Sequence, residues 1–134
     1  MFKRSYVEKE LFPVIRQHQM GFMSWGSLEK GILTGRVTRD RKFDQHDARA
    51  RAPWWTKVDH EPKFKAYEAM KDLFEPKGFS GLEVALGYIA SQKEVSTILC
   101  GIKNIEQLQN TAKVFEHLPP QDLIDDCSAI AARV

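Results

Sequence analysis

The run Ser96-Thr97-Ile98-Leu99-Cys100-Gly101-Ile102-Lys103-Asn104-Ile105-Glu106-Gln107-Leu108 sets a β-prone segment, a glycine, a lysine and a helix start in immediate succession. Asn104 suits an N-cap, and Gln107 stands at the third helical position, which is capping-box spacing. A helix N-terminus offers unpaired amides and the positive end of a dipole. Lys103 adds a full charge beside them, which makes a phosphate-binding device at the end of a strand. The same residues serve equally as an ordinary strand-to-helix turn with a solvated lysine. A second run, from Gly21 to Gly35, reads as a buried strand that enters a glycine-rich loop. Gly31 and Gly35 permit tight turns near a phosphate, or simply punctuate a loop.

The elements that must position these runs follow from periodicity. Val7, Leu11, Val14 and Ile15 share a helical face, with a kink or a fresh helix start at Pro13. Phe64, Tyr67, Met70, Leu73 and Phe74 form an apolar stripe that Lys77-Gly78 closes. Ser80-Gly81-Leu82-Glu83 has the form of a capping box and opens a helix that carries Val84, Ala85, Tyr88 and Ile89. Leu108, Ala112 and Phe115 make another stripe, and Pro119-Pro120 introduces a last helix. Residues 36–61 show no periodicity, and a loop of that length is often functional. Helices separated by two short apolar strands fit repeated βα units.

Composition bounds the function. The chain has 134 residues, 43% of them hydrophobic, and a formal net charge of +2, so it suits one ordered domain with no dominant electrostatic partner. The N-terminus lacks the apolar core of a signal peptide, and no apolar run approaches a membrane span. Cys100 and Cys127 make no disulfide or metal framework, which points to a reducing cytoplasm. His18, His46, His60 and His117 show no metal spacing, and no Ser-His-Asp set or Walker loop is present. Arg36, Arg39, Arg41, Lys42, Arg49 and Arg51 are diluted by Asp40, Asp44 and Asp47, which favours a solvated loop over a nucleic-acid patch.

Taken in order, the two runs resemble the last two strand ends of the aldo-keto reductases, (β/α)8 barrels that reduce carbonyls with NADP(H) or NADH. That family typically ends its seventh strand with an aromatic, Ser-Pro-Leu, two variable residues and a glycine. Trp25-Gly26-Ser27-Leu28-Glu29-Lys30-Gly31 matches, with Gly26-Ser27 in place of Ser-Pro. The eighth strand typically ends Ile-Pro-Gly, then a basic residue and a glutamine. Leu99-Cys100-Gly101, Lys103 and Gln107 match that pattern. Phe2-Lys3-Arg4 resembles the exit of the sixth strand, Val7–Pro13 the sixth helix, and Leu118–Leu123 the start of the C-terminal helix. The implied fold is α/β, the C-terminal fragment of a (β/α)8 TIM barrel. It comprises about the last two βα units plus the C-terminal helix, mostly helical with two short parallel strands. Residues 1–134 are then a single partial domain with a long loop at 36–61.

The resemblance implies NADP(H) as cofactor. Trp25 would stack on the nicotinamide as a flat, unreactive platform, unless it is a core aromatic. Ser24, Ser27 and Leu28 would meet the pyrophosphate through hydroxyls and amides, with Gly26 loosening the loop and Gly31 turning it. Gly101 would close the last strand. Lys103 would pair with the adenosine 2′-phosphate and so favour NADP(H) over NADH. Asn104 and Gln107 would reach the ribose and adenine, or act only as caps. Asn110-Thr111 stands where the family often has Glu-Asn for adenine. The 36–61 segment would be a mobile loop over cofactor and substrate, with Trp54 and Trp55 packing or anchoring it. The family's catalytic Asp, Tyr, Lys and His lie on earlier strands and have no counterpart, so a carbonyl substrate is expected only in a complete barrel. The alternatives are a non-catalytic assembly module, which forms a homo-oligomer or complements a separate N-terminal half, and a stand-alone NADP-binding helical domain.

Overall fold

Ser80 starts the central helix by satisfying the amides that a helix leaves open. Its hydroxyl accepts from the Glu83 amide, and the Glu83 carboxylate accepts from the Ser80 amide at 2.7 Å. The resulting helix, α4 (Gly81–Ala90), is apolar on most sides, with Val84, Ala85, Leu86, Tyr88 and Ile89 all buried. A helix buried this fully must be covered on more than one face. In the computed structural model, which describes residues 1, 2 and 4–134, α3 (Glu61–Phe74) and α6 (Gln121–Ala131) supply that cover. Met70, Phe74, Val84, Ala85, Leu123 and Cys127 form the main core, joined by Phe2 and by Leu33 from the glycine-rich loop. Close approach demands glycine at position 81, where a Cβ would collide with the Leu33 carbonyl. Pro120, in an extended conformation, caps α6 from just outside its first turn.

The sheet is small. β1 (Phe22–Ser24) and β2 (Val95–Ile98) pair in parallel, with Phe22 opposite Val95 and Ser24 opposite Ile98, and with a bulge between Phe22 and Met23. Parallel neighbours need a long crossover, here the segment that carries α3 and α4, so the two-strand, helix-rich α/β expectation holds. Between Thr34 and Glu61 the chain forms only the turn Ala48–Ala50 and the short helix α2 (Pro53–Thr56). Phe43, Trp55 and His60 cluster inside this stretch, with Trp55 stacked on His60 at 4.0 Å.

Three details depart from periodicity or refine it. At Pro13 the second expected form holds to within one residue: a short turn leads into a fresh helix that carries Pro13 in its first turn. A π-turn, Val7–Leu11, runs directly into α1 (Phe12–Gln17), and the widened turn accommodates a residue that has no amide to donate. The buried face of α3 is Lys63, Ala66, Met70 and Phe74, while Phe64, Tyr67 and Leu73 lie half-buried at its margin. α5 (Ile105–Lys113) forms, but its stripe is not core: Leu108, Ala112 and Phe115 are exposed, and Ile105 is 73% exposed. Val114, in the following turn, is buried, while Phe115 beside it borders a groove along β2. The Phe2-Lys3-Arg4 reading falls partly outside the described residues at Lys3.

Candidate functional site

Two parallel strands that end side by side bring their exit loops together, and this chain ties those exits with hydroxyls. The Leu99 amide donates to the Ser24 carbonyl at 2.9 Å. Ser27 Oγ donates to the Leu99 carbonyl at 3.0 Å, and Ser24 Oγ reaches the Thr97 carbonyl at 3.4 Å. Both serines are buried. Their hydroxyl protons are therefore spent on fixing one strand end to the other. Trp25, between them, is 84% exposed and lies outside the core that the described residues form.

The loop after Trp25 is wound left-handed. Gly26 (φ 67°), Glu29 (45°), Lys30 (57°) and Gly31 (100°) all have positive φ. Gly31 has a non-local reason to be glycine, since a Cβ there would lie 2.7 Å from Val37 Cγ2. Leu28 packs half-buried against the main core. Glu29 turns inward to Lys63, whose Nζ donates to Glu29 Oε1 at 2.6 Å. Burial pushes the Glu29 carboxyl up, but the hydrogen bond and charge of Lys63 outweigh it and hold the group below its ordinary value.

At the other strand exit Gly101 stands in open space, and the start of α5 caps itself. Asn104 Oδ1 accepts from the Gln107 amide at 2.8 Å, and Gln107 Oε1 accepts from the Lys103 amide at 2.8 Å. The box is shifted by one residue, because Lys103 rather than the N-cap donates to Gln107. Lys103 is 74% exposed, and its Nζ lies 3.4 Å from Asp47 Oδ2. Asp47 also takes the Arg49 guanidinium, at 2.9 and 2.6 Å, and these bonds hold its carboxyl far below the usual range. Arg49 Nη1 donates in turn to the Lys30 carbonyl at 2.6 Å. A continuous chain thus runs from the glycine-rich loop through Arg49 and Asp47 to Lys103.

The expected residues fall into two groups. Trp25, Gly26, Ser27, Leu28 and Gly31 sit at one strand exit, and Gly101, Lys103, Asn104 and Gln107 at the other. Asp47 and Arg49 join the groups, although in sequence they are only part of a mixed-charge tract. Lys63 was also hidden, though its spacing to Ala66, Met70 and Phe74 marks the buried face of α3. The arrangement fits a dinucleotide in kind. It offers an exposed indole, an exposed lysine beside a self-capped helix N-terminus, and glycines at positions 26 and 101 that stand in open space. Among the described residues no cluster of metal-ligating side chains occurs, and no helix is long and apolar enough to cross a membrane.

A groove between the N-terminal helix, α4 and α6 is lined by Arg4, Glu8, Tyr88, Asp125 and Ser128, several of which pair with one another along its wall. Arg4 pairs with Glu8 at 3.4 Å and donates to the Ser128 carbonyl at 3.2 Å, while the Tyr88 hydroxyl donates to Glu8. Burial, then the Glu8 carboxylate, push the Tyr88 hydroxyl well above its ordinary value. These groups clasp the two ends of the chain.

The aldo/keto reductase family model matches residues 1–132, and the chain belongs to that family. It is 29% identical over 133 residues to an aldo-keto reductase of Pseudocercospora fijiensis, covering 88% of this chain and 44% of the relative. It is 28% identical over 117 residues to the NADH-specific methylglyoxal reductase of Escherichia coli, covering 87% of this chain and 35% of the relative. The structure of the glycerol dehydrogenase from Gluconobacter oxydans superposes with a TM-score of 0.76 and 27% identity, over 95% of this chain and 38% of that one. The chain thus spans less than half the length of these relatives, and its fold is that of the C-terminal part of their barrel.

Proposed function

We propose that this chain is the cofactor-holding part of an aldo-keto reductase and binds NADP(H) at its two strand exits. The observation that carries the reading is the hydroxyl-tied junction. Ser27 fastens the Trp25 loop to Leu99, so the indole and the Lys103 helix start are held at one end of one sheet. In this reading Trp25 lies against one face of the nicotinamide, and the backbone of 26–28 meets the pyrophosphate. Lys103 meets the 2′-phosphate, and Asn104 and Gln107 keep the helix start rigid. When bound, the cofactor supplies or accepts a hydride, and the carbonyl or alcohol partner belongs to a complete barrel. This chain's residues bind and orient. None is assigned the proton transfer, so the chain alone is expected to be inactive. The cofactor choice rests on Lys103, and because one relative is by name NADH-specific, both cofactors must be compared. The test is titration of the purified chain with NADPH and NADH, following tryptophan fluorescence. Saturable quenching, tighter for NADPH, is expected, and no quenching of a folded chain would end the reading.

A second reading is favoured by one specific observation, the uncovered apolar face of Ile105, Leu108 and Phe115 beside a two-stranded sheet with open edges. Such surfaces drive association. A mass by sedimentation that rises with protein concentration would support an assembly role, and a strictly monomeric chain would exclude self-association.

A further inference from the structure

The loop between Trp25 and Ile32 holds two consecutive side-chain-bearing residues, Glu29 and Lys30, in left-handed conformations, followed by Gly31 at φ 100°. Each such residue without glycine's freedom costs free energy, and it persists only where surrounding contacts over-determine it. Those contacts are visible. The Glu29 amide donates to the Gly26 carbonyl at 3.0 Å, and the Gly31 and Leu33 amides donate to the Leu28 carbonyl at 2.9 and 3.3 Å. From outside, Arg49 holds the Lys30 carbonyl. The deepest contact is Lys63 to Glu29. Lys63 is only 5% exposed, and this pair is the most buried ion pair among the described residues.

Stability does not explain a buried lysine here. An ion pair taken out of water is on average no better than a packed apolar pair, and its clearest benefit is to specify one geometry. Lys63 comes from the first turns of α3, a rigid element anchored in the main core by Met70 and Phe74. Glu29 lies in the strained turn. The pair thus transmits the position of the core to the loop that follows Trp25. We propose that Lys63 is a positioning residue, which locks the left-handed turn through Glu29 and so sets the affinity of the 26–28 backbone for the pyrophosphate of a dinucleotide without touching it. The pyrophosphate part rests on the cofactor reading above, whereas the locking part stands on this geometry.

The test compares the full chain with Lys63→Met, Lys63→Arg, Glu29→Gln/Lys63→Met and, as a stability control, Ile124→Ala from the separate cluster with Tyr88 and Ile89. Two quantities are read: exchange protection of the Glu29, Gly31 and Leu33 amides, and NADPH affinity. Lys63→Met should unprotect those three amides selectively and weaken NADPH by about ten-fold, as misplacement of a supporting group does. Lys63→Arg should restore much of both, and the double variant should be no worse than Lys63→Met. Ile124→Ala should lower global stability while leaving the turn amides and the affinity in place. Unchanged protection in Lys63→Met would overturn the lock. Lost protection with unchanged NADPH affinity would overturn its link to the ligand. If wild type itself fails to quench, the cofactor reading and the pyrophosphate part fall together, and the amides still decide the lock.

Discussion

Replacing Lys103 by alanine tests the charge logic of the proposed site most directly. A 2′-phosphate carries roughly two negative charges, and two unit charges about 4 Å apart in water attract by about 1 kcal/mol. Because the Lys103 side chain is 74% exposed, the water value applies, not the interior one. The gross attraction is then about 2 kcal/mol at low salt, or roughly thirty-fold in affinity. Two effects reduce it. Salt near the physiological level screens exposed charges over about 8 Å, and Asp47 at 3.4 Å already occupies part of the ammonium's field. The expected loss for Lys103→Ala is therefore about five- to ten-fold for NADPH at physiological salt, and larger in dilute buffer. NADH lacks the phosphate and should lose less than about two-fold. Asp47→Asn should move the other way, tightening NADPH several-fold by freeing both Lys103 and Arg49. The assay is fluorescence titration of both variants with both dinucleotides at two salt concentrations. Equal losses for NADPH and NADH in Lys103→Ala, or a loss that ignores salt, would refute the 2′-phosphate assignment.

Trp25→Ala should leave the melting temperature unchanged, because an exposed indole contributes little to the core, yet abolish quenching by the nicotinamide; full quenching in the variant would transfer the role to Trp54 or Trp55. Ser80→Ala removes the α4 cap and should cost about 1 kcal/mol in urea unfolding, whereas a change under a few tenths would mean that the box is redundant. Burial, with Asp126 nearby, pushes the Cys127 thiol up to about 11. In the unfolded chain that thiol ionises near pH 8.5, so its contribution to stability is complete below that pH and is lost as pH rises toward 11. Cys127→Ala should flatten that alkaline decline, and an unaltered slope would assign it to other groups.

What the sequence made legible was local. The Ser80–Glu83 box and the Asn104–Gln107 cap are set by residues three apart, and both form as spacing requires, apart from the shift to the Lys103 amide. The unreadable features depend on distant partners. Nothing near Gly31 announces Val37, and nothing near Glu29 announces a buried lysine thirty-four positions away. Periodicity marked the apolar face of α5 correctly, but it reports only that a face is apolar and is silent on whether the chain supplies a cover.

That last distinction bears on how the two readings relate. The core of α3, α4 and α6 is closed within the chain, with Met70, Leu123 and Cys127 fully buried. This core supports the loop after β1 through Leu33, Leu28 and the Lys63–Glu29 pair. Trp25 at the first strand exit and the apolar face of α5 both stand exposed among the described residues. A dinucleotide at the strand exits of the free chain would gain charge contacts but little burial of its nicotinamide, since Trp25 stands exposed. If the partner that covers the α5 face also walls the strand exits, covering that face and binding the cofactor are coupled, and the association equilibrium reads that link directly. Under that coupling NADPH should bind the free chain weakly and shift its association equilibrium, since a ligand favours whichever state holds it better. Sedimentation with and without saturating NADPH measures that shift. An identical mass distribution in both, alongside saturable quenching, would show that the cofactor site is complete within a single chain and that the exposed face serves a separate purpose.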